Sequence, residues 1–184
     1  MLGPILEGER VRLEPPRPEF FPAYHRWFAD MEVTRYLLYR HPLTDKGQAE
    51  WLEQTSSDGK TVMWAIVAKT SGQLVGNVGI HDISWRNRHA MTGTIIGEKD
   101  EWGKGYGGEA MRLRTRYAFR ELGLNKLITT VYGGNHASQR ALERAGYRQC
   151  GTFRRHVFVD GDWRDVWIGE ILREDWEAKE GREA

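Results

Sequence analysis

Trp102-Gly103-Lys104-Gly105-Tyr106-Gly107-Gly108-Glu109-Ala110 puts four glycines just before and inside the first turn of a helix. Glycine costs a helix about 1 kcal/mol per residue against alanine, so four together at a helix start mean that the backbone itself is in use. Amides left unpaired there point outward and, with the positive end of the helix dipole, form a pocket for a diphosphate. A sharp turn also calls for glycine, so the cluster alone fits either use. Its spacing excludes two other phosphate loops. It lacks the glycine-lysine-serine/threonine ending of a P-loop, and no acidic residue closes a second strand as a dinucleotide fold requires.

Upstream, residues 90–97 read as a strand; downstream, Ala110, Met111, Leu113, Tyr117, Ala118 and Leu122 recur at helical spacing up to Gly123. A buried-looking strand follows at 127–132. Strand, loop, helix and strand make a crossover unit, and its right-handed form places the glycine loop at the carboxyl end of a strand. Farther out, residues 62–68 and 74–80 flank the turn Thr70-Ser71-Gly72-Gln73, and a short strand at 10–14 stops at Pro15-Pro16. Helical spacing joins Phe20, Ala23, Tyr24, Trp27 and Phe28 across 19–30, and Thr44-Asp45 with Gln48 opens a second helix. Residues 135–145 read as a helix ended by Gly146, and 147–172 as two long strands around Asp160-Gly161-Asp162. The expectation is a mixed α/β fold with helices covering a sheet, one domain over 1–184, and a frayed tail from 177 to 184.

The charges nearly cancel at +1, which argues against nucleic acid held by bulk electrostatics. Cys150 is the single cysteine, so an internal disulfide and a thiolate zinc cage are both excluded and a reducing compartment is the simpler reading. The six histidines lack ligand spacing, and no metal is expected. No stretch approaches the roughly 20 apolar residues of a membrane helix, and Met1-Leu2-Gly3-Pro4 has neither a secretion nor a myristoylation pattern. A cytoplasmic protein with no nucleic-acid or membrane partner is expected.

Three blocks carry a family resemblance. Trp102 to Gly107 fits the form Gln/Arg-x-x-Gly-x-Gly/Ala with tryptophan in first place; Asn135, Ser138, Leu142, Gly146 and Tyr147 fit a second block; Arg155, Asp160-Gly161, Trp163 and Asp165 fit a closing one. Together they resemble the GNAT acetyltransferases, and within them the branch that acetylates protein N-termini, including those of ribosomal proteins. The resemblance implies the acyl-CoA N-acyltransferase fold, a mixed twisted sheet of about seven strands flanked by about four helices. It implies acetyl-CoA as co-substrate and an amine acceptor, either a protein N-terminus or a small molecule. By analogy with relatives that pair, it also implies a homodimer. The amides of Gly103, Gly105, Gly107 and Gly108, within a loop that includes Trp102 and Tyr106, would hold the pyrophosphate, with Lys104 adding charge. Backbone groups of Ile95, Ile96 and Gly97 would pair with the pantetheine arm as an added strand does. Asn135 would bond the pantetheine region, and Ser138 would sit near the thioester sulfur.

Acyl transfer to nitrogen needs a neutral amine, a polarised thioester carbonyl and a proton for the departing thiolate. Ser138 and Tyr132 are candidates for the acid. Some relatives place a glutamate as base just after Arg155; here His156 or Val157 stands there, His156 or ordered water could serve, and His81, Asp82 and Glu98 are further candidates. Each has a plainer use: Asn135 and Ser138 in capping a helix, Tyr132 in the core, His81-Asp82 at a turn. Arg112, Arg114, Arg116 and Arg120 read as a solvated helix face. Tyr36, Tyr39, Trp51, Trp85, Phe158, Trp163 and Trp167 fall in segments that border the acceptor groove in the family. Rival functions are a small-molecule acetyltransferase acting on a polyamine or an aminoglycoside-like drug, and a coenzyme-binding regulator without turnover.

Overall fold

A computed structural model describes residues 1–37 and 41–183 of the chain, and Tyr39 lies outside the described residues. Segments rich in valine and isoleucine form the middle of one sheet, where β-branched side chains pack well on the pleat. In chain order the strands are β1 (Leu6–Glu7), β2 (Val11–Glu14), β3 (Val62–Ala68), β4 (Leu74–Ser84), β5 (His89–Ile96), β6 (Lys126–Tyr132), β7 (Arg148–Val159) and β8 (Asp162–Leu172). They lie side by side as β1-β2-β3-β4-β5-β6-β8-β7. Neighbours are antiparallel except β5 and β6, the pair joined by the glycine-loop crossover.

The helices are α1 (Phe21–Ala29), α2 (Met31–Thr34), α3 (Asp45–Ser57), α4 (Tyr106–Arg120), α5 (His136–Arg144) and α6 (Arg173–Glu183). Among the described residues that is eight strands and six helices, against about seven and four expected. The additions have local causes. The two-residue β1 pairs Leu6 with Leu13 and Glu7 with Arg12, too short a run to show a period. Asp30 ends α1 in an extended conformation and its carboxylate accepts the Glu32 amide, starting α2 as a separate turn. Residues 177–183, expected as a frayed tail, continue α6, which is anchored by Trp176, 6 % exposed and 5.5 Å from the Phe119 ring.

Every residue of β3 is buried, because the strand is covered on both faces. Trp64 and Ile66 face the core beneath α4 with Val78, Ile80 and Leu127, while Ala65 and Val67 face α1 with Tyr24 and Trp27. The β7–β8 hairpin turns on Asp160 and Gly161, both left-handed at φ 52 and 76, as a two-residue turn of matching twist requires.

The feature that positions a site is a fork. β5 and β6 pair only through His89–Lys126, Ala90–Leu127 and Met91–Ile128, although β5 runs on to Ile96 and β6 to Tyr132. Two threonines fasten its crotch: Thr92 Oγ1 donates to the Ile128 carbonyl at 3.2 Å, and Thr129 Oγ1 to the Thr92 carbonyl at 3.2 Å. Beyond them no strand of the described residues lies between the facing edges.

Candidate active site

The glycine loop stands at the open end of this fork. Gly105 caps α4 at φ 87 and Gly103 sits at φ 79, left-handed values that penalise other residues by roughly 1–2 kcal/mol. The amides of Gly103 and of Gly105 through Gly108 have no acceptor among the described residues, whereas the Lys104 amide closes the turn over Trp102 and Gly103 and Glu109 donates to the Gly105 carbonyl at 3.1 Å. Five unpaired donors at and before the positive end of a fifteen-residue helix suit a diphosphate. Lys104 lends less free charge than expected, since its ammonium pairs with Glu101 at 3.0 Å and that carboxylate raises its pKa. Arg10, which the sequence did not single out, reaches the loop instead and donates to the Lys104 carbonyl at 3.2 Å. Its own amide is held by the buried Glu109 carboxylate at 3.0 Å.

Along β5 the backbone groups alternate between neighbours. Thr92 turns its carbonyl to Thr129 of β6, and Gly97 donates its amide to Val75 of β4 at 2.9 Å. The residues facing the gap are therefore Thr94 and Ile96. This corrects part of the expected set: Gly97 spends its amide on the other side, Ile95 shares that orientation, and the Ile96 carbonyl accepts from Trp102 Nε1 at 2.8 Å. Thr94 is the residue missed. Gly97 has a packing reason to be glycine, because an added Cβ would lie 1.9 Å from Trp27 Cδ2.

At the other lip, Asn135 caps α5 by accepting the Ser138 amide on Oδ1 at 3.1 Å. The Ser138 hydroxyl and the Tyr132 phenol have no partner among the described residues. Strand alternation puts Tyr132 on the face opposite Val131. A cavity of ≈ 200 Å³ opens beside this helix start, lined in part by Tyr132, Asn135, Gln139, Asp165 and Trp167.

His156 is not brought to this group. β8 separates its strand from β6, and its exposed ring packs 4.9 Å from that of Phe153. The bulge that holds it, between Phe153 and Val157, is pinned by the Arg155 amide donating to Asp165 Oδ1 at 2.8 Å. Glu98 is also committed, accepting from Arg26 at 2.8 Å and Trp27 Nε1 at 2.9 Å. Asp82 is an exposed left-handed residue at the bulge of β4 between His81 and Ser84. His81 differs from these. It pairs with Met91, the last residue of β5 joined to β6, so it stands level with the crotch. Its Nε2 lies 3.5 Å from where a Cβ on Gly93 would be, over a lane that two glycines leave open. Burial, then the charge of Arg114, holds its pKa below the ordinary 6.5, so it is neutral at pH 7.

Arg114 corrects the reading of the arginines as a solvated face: it is 1 % exposed. The signal was available, since Ala110, Arg114 and Ala118 share one stripe at four-residue steps and the alanines leave it room. Of the groove aromatics, Tyr36 does reach the β6–α5 loop, its hydroxyl 3.1 Å from a Cβ placed on Gly134. Trp51 packs edge-on against Tyr24 at 6.2 Å, Trp167 is buried, and Trp85 donates to the Gly59 carbonyl. Phe158 and Trp163 pack edge-on against each other at 5.4 Å in the exposed hairpin.

Residues 10–148 match the family model of the acetyltransferase (GNAT) domain. The chain belongs to the GNAT acetyltransferase family. It is an acetyl-CoA-dependent N-acetyltransferase whose acceptor is an amine. It is 28% identical over 174 residues, 92% of its length and 97% of the relative's, to the uncharacterized N-acetyltransferase YoaA of Bacillus subtilis. Identity is 23% over 159 residues, 86% of this chain and 81% of the other, to the [ribosomal protein uS5]-alanine N-acetyltransferase of Escherichia coli. The crystal structure of spermidine N-acetyltransferase from Vibrio cholerae, in complex with CoA and spermine, shares the GNAT fold at a TM-score of 0.85. Its identity is 19%, over 92% of this chain and 99% of that one.

Proposed function

We propose that this GNAT acetyltransferase acts on the α-amine of a protein or peptide N-terminus, as one domain over residues 1–184. The observation that carries the proposal is His81, a half-buried imidazole at the crotch with its pKa held down. Such a group is a weak base. An α-amine, with a pKa of about 7.7–8.0, is partly neutral at cell pH, whereas a lysine amine near 10.4 costs roughly 4 kcal/mol more to deprotonate. The Escherichia coli relative, by its name, acts on such an alanine.

In this mechanism the amides of Gly103 and of Gly105 to Gly108 hold the pyrophosphate, and the pantetheine arm lies in the gap along Thr94 and Ile96. Asn135 and Ser138 border it from α5. The amine nitrogen attacks the thioester carbon, His81 takes the proton of the new ammonium, and the C–S bond breaks with its electron pair on sulfur. The proton held by His81 then passes to the thiolate; Ser138 and Tyr132 stand at the open end of the fork, four residues and more past Ile128.

Two results follow for kcat/KM with an N-terminal peptide between pH 5 and 9. Below the acceptor's own pKa the logarithm falls with a slope of about one, and it steepens toward two only below pH 6.5, where His81 protonates. His81→Gln lowers kcat/KM by about 10²–10⁴ and removes the steepening. An unchanged profile in the variant rejects His81 as the base. The acceptor class is tested with peptides beginning Ala or Ser, the same peptides blocked at the N-terminus but carrying an internal lysine, and spermine, with products located by mass spectrometry. Acetyl groups on the free α-amine support the proposal; transfer to spermine alone or to lysine overturns it.

A further inference from the structure

Arg114 is a full positive charge with no carboxylate partner among the described residues. Nη1 donates to the Gly93 carbonyl at 3.3 Å and to Thr94 Oγ1 at 3.1 Å, and Nη2 to the Tyr147 hydroxyl at 3.0 Å. Nε is buried and unpartnered. These neighbours are neutral dipoles, and an unpaired buried cation is a standing cost that a fold keeps only where something offsets it. A buried position on that stripe could have held leucine at no such cost.

Its position is specific. Gly93 and Thr94 lie just beyond the crotch, and Tyr147, whose hydroxyl is also 3.4 Å from Thr92 Oγ1, stands behind the fastening threonines. The coenzyme enters from the glycine loop after Ile96, so an arm running down the gap along Ile96 and Thr94 brings its sulfur end toward Thr92 and Met91. The guanidinium thus sits under the end of the gap where the C–S bond breaks, approached from the α4 face, with His81 on the other face of the same strands. The field of Arg114 reaches that far, being one cause of the lowered His81 pKa.

We infer that Arg114 is the cation that balances the negative charge developing on the CoA sulfur as the thioester breaks. The step is the one above: the C–S electron pair goes to sulfur, and Arg114 stabilises that anion until a proton arrives. In a water-poor site, a fixed charge aimed at the product of bond breaking acts more on the transition state than on the neutral thioester. The inference rests on the coenzyme arm occupying the gap.

The test titrates free CoA bound to the protein, following ultraviolet thiolate absorbance as a difference against the protein with desulfo-CoA; calorimetry first establishes that CoA binds. No acceptor is needed. In the wild type the thiol pKa is expected at least about one unit below that of free CoA titrated in the same buffer, a tenfold gain in thiolate fraction at a pH below both values. Arg114→Met returns it to the free-CoA value, with CoA affinity unchanged within about threefold at a pH well below both thiol pKa values, and Arg114→Lys keeps most of the shift. The Met variant is expected to unfold no earlier than wild type, since an apolar replacement of a buried charge is often neutral or stabilising. If it does not fold, Arg114→Lys and Arg114→Gln make the same comparison of charge against no charge. CoA that binds with the same thiol pKa in wild type and the neutral variant overturns the role of Arg114 alone. CoA that does not bind to wild type overturns the coenzyme site as well.

Discussion

Gly107→Glu is expected to abolish acetyl-CoA binding while leaving the fold at least as stable as wild type. Gly107 stands in the first turn of α4 outside the left-handed region, and an added Cβ would meet only the Ile96 side chain, Cγ1 at 3.4 Å and Cδ1 at 3.8 Å, so the backbone accepts a side chain. A carboxylate in a first helical turn faces the positive end of the dipole and is worth about 0.3–1 kcal/mol in favour of the helix. The same carboxylate covers the unpaired amides and repels a diphosphate. A loss of at least about 100-fold in affinity, or roughly 2.7 kcal/mol, follows. Calorimetric titration beside thermal unfolding separates the two effects. Wild-type affinity in this variant would mean that the amides of the loop do not hold the coenzyme.

Trp27→Ala is expected to cost about 3–5 kcal/mol of stability, the range for deleting a large aromatic from a core. Trp27 is 2 % exposed, its ring lies against Gly97, Tyr24 packs 5.6 Å from it, and its indole N–H donates to Glu98. At about 2–4 °C per kcal/mol for a chain of this size, the unfolding midpoint falls by roughly 6–20 °C. The effect on function follows from place. Trp27, with Arg26 on Glu98 and the Lys99 ion pairs to Asp30 at 2.8 Å and Glu32 at 3.0 Å, fastens the α1–α2 corner to the chain between β5 and the glycine loop. Acetyl-CoA affinity should therefore fall even below the unfolding midpoint. Trp27→Phe keeps most of the packing and loses the N–H donor, with an expected cost of about 1–3 kcal/mol. Equal midpoints for the alanine variant and wild type would show that the corner contributes nothing to the fold.

The crossover and the glycine loop were legible in the sequence because they rest on residue types with few substitutes: glycine where φ is positive, a helical stripe, a buried strand on each side. The fork was not. Its cause is a parallel register that stops after Met91–Ile128, and ending a pairing leaves no periodic mark in either strand. Thr92 and Thr129, which fasten the crotch, look in the sequence like ordinary strand threonines. Arg114 was hidden by its neighbours: three other arginines in the same helix suggested a solvated face, and only its place between Ala110 and Ala118 told it apart. His156 and His81 exchanged importance for a topological reason. Closeness to Arg155 in the chain put His156 forward, but β8 inserts between β6 and β7, while the antiparallel turn from β4 to β5 returns His81 to Met91. The end of the chain read as a tail because its one large apolar anchor, Trp176, stands alone among charged residues.

The most direct measurement is a crystal structure of the protein with CoA. The expected complex has the pyrophosphate on the amides of Gly103 and of Gly105 to Gly108, the arm hydrogen-bonded along Thr94 and Ile96 between β5 and β6, and the sulfur near the crotch at Met91 and Ile128. A coenzyme bound outside the gap, or with its phosphates away from the glycine loop, would contradict the account.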